Sequence, residues 1–339
     1  MFNALKAIYE RVQNKVKCKN SFSEVFESVI GLRQGCVLSP LLFSLYINEL
    51  IYSLEDSGNR GIQLFPEYIE LLILLFADDI VLFSDTVIGL QRHLDSLNTY
   101  CTKWKLQVNL DKTNIVVFRK YGGLKKVEQW HYGNDLVKIV PQYKYLGVLF
   151  TFNLSSQKQV QALCVKGKAA LYELLKSTKS LGNLAYDMYF KIFDIKIKSI
   201  CTYGAEIWGF QKYDVLERVQ NIACKRFLGI PNNTPNVMAT GECGRLPLYV
   251  DTYVKCIKYW LTILYMEETR LPRKAYNMLY CLDVQSRNTW VSYIRESLFK
   301  LGLGYAWISQ GVGHCQLFIN EVRSEERRVG KECRSRWSP

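Results

Sequence analysis

LLILLFADDIVLF, residues 71–83, decides how this chain is read. Two apolar runs, Leu71 to Phe76 and Ile80 to Phe83, flank Ala77, Asp78 and Asp79. Their length and the turn chemistry between them predict a β-hairpin rather than one helix, with two carboxylates at its tip. An uncompensated carboxylate is costly to bury, so Asp78 and Asp79 must be solvated, hydrogen-bonded or holding a cation. Neighbours along a strand point to opposite faces, which lets one of the pair lead into a site while the other supports it from behind. Hard oxygen ligands suit Mg²⁺, commonly held by one or two carboxylates together with substrate phosphates. On these residues alone, an Asp-Asp turn that is merely polar is the commoner outcome.

Upstream, GLRQGCVLSP (31–40) reads as a loop ending in a helix start, with Ser39 as N-cap and Pro40 pre-set at helical φ. Leu41, Leu42, Leu45, Tyr46, Ile47, Leu50, Ile51 and Leu54 give that helix a broad apolar face, and the cluster beginning at Ser57 ends it. Residues 1–20 predict a further helix, with Leu5, Ile8, Tyr9, Val12 and Val16 on one side. Downstream of the hairpin, residues 86–103 keep helical spacing. LQVNLDKTNIVVF (106–118) and KIVPQYKYLGVLF (138–150) read as short strands. From about Ser155 the pattern becomes long amphipathic helices punctuated by Gly182, Gly204, Gly229, Pro231 and Pro235, which places a domain boundary there.

The 339 residues are 49% apolar, enough for a real core, and carry a net charge of +13 with 13% aromatics. That combination is expected of a surface that holds phosphates and stacks bases, although many soluble proteins are basic without such a role. The longest apolar run, Leu71 to Ala77, is far below the roughly 18 to 20 residues that span a bilayer, and the N-terminus lacks the pattern of a secretory signal. An intracellular setting is expected. Eleven cysteines without a CxxC pair are read as small buried apolar groups.

Four blocks in order carry a resemblance to the reverse transcriptases of non-LTR retrotransposons. FADDIVLF (76–83) resembles their catalytic hairpin and GLRQGCVLSPLLFSLYINEL (31–50) the loop and helix before it. WKLQVNLDKTNIVVF (104–118) resembles the segment after the hairpin, and YKYLG (143–147) the primer grip. The helical remainder, with YGAEIWG at Tyr203 and GECGRLPL at Gly241, is similar to the region beyond the polymerase in these elements, without recognisable chemistry. The resemblance implies an α+β fold: a partial palm over 1–154, an antiparallel sheet backed by helices, then a mainly helical thumb and C-terminal region over 155–322. It also implies Mg²⁺ on Asp78 and Asp79, with Phe76 and Ala77 beside the primer end and the incoming sugar. Arg33, Gln34 and Gly35 would lie at the nucleotide and template, Lys112 near the leaving pyrophosphate, and Tyr143, Leu146 and Gly147 on the primer. The implied partners are an RNA template, a DNA primer and dNTPs, in nucleus and cytoplasm. Phe76 stands where tyrosine is more usual, and Val37 where a proline is often found.

A larger departure concerns the metal. Two-metal phosphoryl transfer needs carboxylates from separate segments, and before Gly31 the only acids are Glu10, Glu24 and Glu27, none at the end of a strand-like run. The expectation is therefore a fragment lacking the fingers and the first catalytic strand, unable to polymerise DNA by itself. A non-catalytic RNA- or DNA-binding remnant and a polymerase of the group II intron maturase type are the rivals. Residues 323–339, RSEERRVGKECRSRWSP, read as a disordered tail and resemble a translated sequencing adaptor. They hold six basic and three acidic residues, so the rest of the chain keeps +10.

Overall fold

A computed structural model of the chain describes residues 2–10, 12–28, 31–33, 35–64, 69–119, 122–123, 127–181 and 184–335. Helices and small two-stranded sheets alternate through the first part and helices alone make up the rest, so the class is α+β. The chain divides into two compact units. One comprises Met1–Gln63, Ile69–Thr113 and Leu124–Val137; the other is made chiefly of Asn114–Gly123 and Lys138–Pro339. The division by contact thus falls near Val137, ahead of residue 155, and the YKYLG segment groups with the helices.

In the first unit the expected helix over residues 1–20 is shorter. Helix α1 spans Phe2–Glu10, after which Val12–Asn14 pairs antiparallel with Phe26–Ser28 and Lys17–Cys18 with Ser21–Phe22. β-branched Val12 and Val16 favour extended backbone, and burial of Val12 on this ribbon outweighs the helical spacing. Helix α2 (Ser39–Asp56) and helix α3 (Val87–Lys103) form where their periodicity places them. Ser39, expected as N-cap, is instead the first helical residue. Its hydroxyl donates to the Arg33 carbonyl at 2.7 Å and leaves Leu38 as a cap without a side-chain bond. Thr86 caps α3, its hydroxyl accepting from Gly89 N–H at 3.0 Å.

Between these helices Ile73–Phe76 and Asp79–Leu82 form the predicted antiparallel ribbon, here called the aspartate hairpin. Ile73 and Leu75 face the same way as their cross-strand partners Leu82 and Ile80. These four pack with Ile47, Leu50 and Leu54 of α2 and Leu97, Tyr100 and Cys101 of α3. The alternation of the strand therefore has one side in the core, and Leu74, Phe76, Asp79 and Val81 on the other.

The expected palm sheet is not assembled among the described residues. What forms instead is a set of separate two-stranded ribbons, one of them parallel, Asn114–Ile115 with Lys138–Ile139. Strands of two to four residues carry too few ladder bonds to merge without further strands between them. In the second unit Gln142–Tyr145 and Val148–Thr151 make a tyrosine hairpin.

Helix α4 (Gln157–Leu181) comes next, then α5 (Tyr186–Ile192), a π-helical turn (Phe193–Lys198), and helices α6 (Ser199–Cys201), α7 (Ala205–Trp208), α8 (Asp214–Phe227) and α9 (Asn236–Glu242), around one apolar cluster. A second cluster lies among α10 (Leu248–Leu264), α11 (Leu271–Val284), α12 (Trp290–Lys300), α13 (Gly304–Ile308) and α14 (Cys315–Ser335). Cys101, Cys164, Cys201, Cys224, Cys243 and Cys256 are buried, the last with its thiol donating to the Ala205 carbonyl at 3.0 Å. No described helix is long and apolar enough to cross a membrane.

Helix α14 corrects the expectation of a disordered tail, because it continues through Arg323 to Ser335. Phe318, Ile319 and Val322 are buried and anchor its first half. Glu, Arg and Lys beyond them are strong helix formers, and no proline intervenes before 339.

Candidate nucleotide and primer site

The tip of the aspartate hairpin is a two-residue turn, because Phe76 pairs directly with Asp79. Such tight turns match the strand twist when the first central residue takes a positive φ, and Ala77 sits at +52°. A non-glycine residue there is strained, and its small side chain keeps the cost near the low end of about 1–2 kcal/mol. Asp78 is the other turn residue and Asp79 opens the returning strand on the face away from the core, beside Phe76, which is 60% exposed. Both carboxylates are exposed, and neither is engaged by a hydrogen bond or ion pair among the described residues. The structure thus raises two unneutralised acids on a fixed apolar ribbon.

The glycine loop leads into the same core through α2. Its Gly35 has φ +77° with open space where a Cβ would stand, so glycine is needed for backbone conformation and not for room. Arg33 and Gly35 are exposed; Gln34 lies outside the described residues. Helical spacing assigns Tyr9 to an apolar face, yet its hydroxyl ties α1 to this loop. It lies 3.1 Å from Ser39 Oγ and donates to Cys36 Sγ at 3.6 Å. Those contacts, that from Tyr9 foremost, hold the Cys36 thiol below the ordinary cysteine range.

The segment after α3 is fastened to α2 by aromatic residues. Tyr46 donates to the Trp104 carbonyl, the two rings meet edge to face at 5.2 Å, and Tyr100 donates to the Tyr46 carbonyl at 3.1 Å. Leu106 and Val108 then pack against the same core as the aspartate hairpin. Asn109 shapes the turn beyond them, its Oδ1 accepting from Asp111 N–H at 3.1 Å and Lys112 N–H at 3.3 Å. This Asx turn presents Lys112 exposed in the first unit. The sequence reading passes over Asn109; the NxDK spacing is the signal that could have found it. Loop helix, hairpin and lysine segment therefore share one core.

In the second unit the tyrosine hairpin turns at Leu146 (φ +45°) and Gly147 (φ +85°), both left-handed. Tyr143 opposes Phe150 and is half-buried, while Lys144 is exposed on the alternate face. Helix α4 packs here, with Gln159 Oε1 accepting from Leu149 N–H at 2.9 Å and Lys158 donating to Gln142 Oε1 at 3.2 Å. This brings Lys166 of α4 against Lys144, and that neighbouring ammonium holds the Lys144 pKa below the usual lysine value.

As donors, Asp78 and Asp79 fit a hard divalent cation in kind but not in number. Among the described residues no group of three His, Cys, Asp or Glu side chains comes together to hold a metal.

Residues 2–150 match the family model described as "Reverse transcriptase (RNA-dependent DNA polymerase)". The chain is 23% identical over 231 residues to the RNA-directed DNA polymerase from mobile element jockey of Drosophila funebris, covering 66% of this chain and 24% of that protein. It is 25% identical over 251 residues to the probable RNA-directed DNA polymerase from transposon BS of Drosophila melanogaster, covering 68% and 26%. To the Pol polyprotein of the type-2 retrotransposable element R2DM of the same species it is 31% identical over 141 residues, covering 38% and 12%. The chain thus spans about a quarter or less of the length of these relatives.

Proposed function

We propose that this chain, whose first 150 residues belong to the reverse transcriptase family of non-LTR retrotransposons, is the part of an RNA-directed DNA polymerase that carries the AspAsp hairpin and the primer-holding segment. The observation that carries the reading is the pair of unengaged carboxylates on a ribbon sharing its core with the glycine-loop helix and the segment leading to Lys112. In the reaction, a primer 3′-hydroxyl attacks the α-phosphate of a dNTP paired to an RNA template, and pyrophosphate leaves. Mg²⁺, when bound, lowers the pKa of that hydroxyl and neutralises phosphate charge.

The four blocks each have a part in this scheme. Asp78 and Asp79 are metal-binding carboxylates, and the further one the chemistry needs lies outside the group the described residues assemble. Phe76 and Ala77 border the primer end and the sugar. Arg33, Gln34 and Gly35 border the nascent pair and the template. Lys112 offsets charge on departing pyrophosphate, a role open to any well-placed cation. Tyr143, Leu146 and Gly147 hold the primer, and the Lys144–Lys166 pair favours a phosphodiester between two ammonium groups that otherwise repel.

A second reading, an RNA- or DNA-binding remnant without catalysis, is favoured by the donor set: both acids at the hairpin stand on one segment, and among the described residues no group of three His, Cys, Asp or Glu side chains comes together. Two assays on the purified chain test these together. In a titration with an RNA template annealed to a recessed DNA primer, binding is expected, weakening steeply with salt. Primer extension with dNTPs and Mg²⁺ is expected to fail. Absence of binding would overturn the polymerase reading, and extension would overturn both the incomplete-site account and the remnant.

A further inference from the structure

Tyr203 belongs to YGAEIWG, a motif to which the scheme above gives no task. It stands between α6 and α7, 48% exposed, with its carbonyl accepting from Trp208 Nε1 at 3.3 Å. Its side chain reaches the turn of the tyrosine hairpin, fifty-seven residues earlier, where the hydroxyl donates to the Leu146 carbonyl at 2.8 Å. The ring lies over Gly147, so that a Cβ built on this glycine would stand 2.9 Å from Tyr203 Cε1 and 3.3 Å from Cζ and Oη. Two requirements therefore converge on Gly147: a φ of +85°, and a missing side chain whose space the tyrosine ring fills. Leu146 meets the opposite problem. It holds φ +45° with a full side chain, a conformation that persists only where surrounding contacts over-determine it.

From this geometry we infer that Tyr203 is a positioning residue, a latch that sets the conformation of the Leu146–Gly147 turn and hence how that turn meets a primer strand. Its clause about the primer rests on the function proposed above. The latch gives Gly147 a reason of its own, since the glycine admits a ring of the same chain. It also closes one side of the turn, because the ring occupies the direction of the absent Cβ. The next glycine completes the fit: a Cβ on Gly204 (φ +69°) would come 3.4 Å from Val148 Cγ2, on the returning strand of the same hairpin. YGAEIWG thus tracks the turn and its strand with Tyr203 and Gly204.

Tyr203→Phe removes only the hydroxyl of an exposed ring, so global unfolding is expected to stay near that of the unchanged chain. Amide hydrogen exchange over residues 142–151 is expected to accelerate about fivefold, the factor that loss of one ordinary hydrogen bond confers on local opening. Gly147→Ala is expected to disturb the same amides more strongly in the unchanged chain than in a Tyr203→Ala background, where the ring that the new methyl would strike is gone. Affinity for a recessed primer on an RNA template is expected to drop severalfold in Tyr203→Phe, with affinity for a blunt duplex unchanged. Unaltered exchange in Tyr203→Phe, or equal effects of Gly147→Ala in both backgrounds, overturns the latch. Faster exchange with undiminished preference for the recessed end overturns its role in primer positioning. If the unchanged chain itself shows no preference for a recessed end, the functional reading falls, while the exchange measurements still decide the latch.

Discussion

His93 lies on α3 with 0% exposure, inside the unit that holds the aspartate hairpin, and neither ring nitrogen has a hydrogen-bond partner among the described residues. Burial holds its pKa below the ordinary 6.5, against smaller opposing contributions from the nearby Arg60 backbone and the Glu70 charge. A folded-state pKa below the unfolded value means that the unfolded chain binds more protons once the pH drops under about 6.5. This contribution is therefore fully present above that pH and is lost as the pH falls toward the folded-state pKa, by at most about 1.4 kcal/mol per pH unit. Replacing the ring with an apolar side chain removes both the proton linkage and the unpartnered polar atoms, whose burial costs about 1–3 kcal/mol. In His93→Leu the leucine has about the same volume as the imidazole but a different shape, so imperfect packing offsets part of that gain. Urea unfolding of both proteins at pH 8 and pH 5.5 measures the effect. The expected outcome is a loss of stability on acidification that is larger in the unchanged chain than in His93→Leu, with nucleic-acid binding at pH 5.5 tracking the folded fraction. Equal acid sensitivity in the two proteins would refute the claim that His93 is buried neutral.

Three further measurements bear on the site and its support. Asp78→Asn with Asp79→Asn should leave thermal unfolding within about 0.5 kcal/mol of the unchanged chain, since both are exposed and unengaged, while weakening Mg²⁺-dependent retention of dNTP in a filter assay. A marked loss of stability would show that the acids serve the fold. Leu50→Ala, at a fully buried position between α2 and the hairpin, should cost about 3–5 kcal/mol in urea unfolding; a cost under about 1 kcal/mol would deny the shared core. Lys144→Gln and Lys166→Gln should each lower the salt dependence of nucleic-acid binding by about one phosphate contact, read from the slope of log affinity against log salt. An unchanged slope would remove that pair from the nucleic-acid surface.

The local chemistry of residues 71–83 is legible because it is written in periods and turn residues. Apolar runs of strand length around two acids leave little besides a hairpin, and its alternation fixes which side meets the core. Helices α2 and α3 are legible for the same reason, although Ser39 shows the limit: its hydroxyl donates to the Arg33 carbonyl instead of accepting from an N–H of the first turn. Residues 12–20 mislead, since apolar spacing of three and four does not reveal that Val12 can be buried on a ribbon with Phe26–Ser28. The helical continuation of α14 beyond Arg323 escapes a judgement based on composition, which counts charges and overlooks that Glu, Arg and Lys are good helix formers once a buried turn is in place.

By itself, then, the sequence determined the hairpin, the acids at its tip and the order of the four blocks that carry the resemblance, because each depends on residues near one another in the chain. Tertiary structure alone decided that the loop helix, the hairpin and the lysine segment share a core, that Lys144 meets Lys166, and that Tyr203 fills the space Gly147 leaves. These are contacts between residues far apart in sequence, and such contacts are set by how whole elements pack, which no local period encodes.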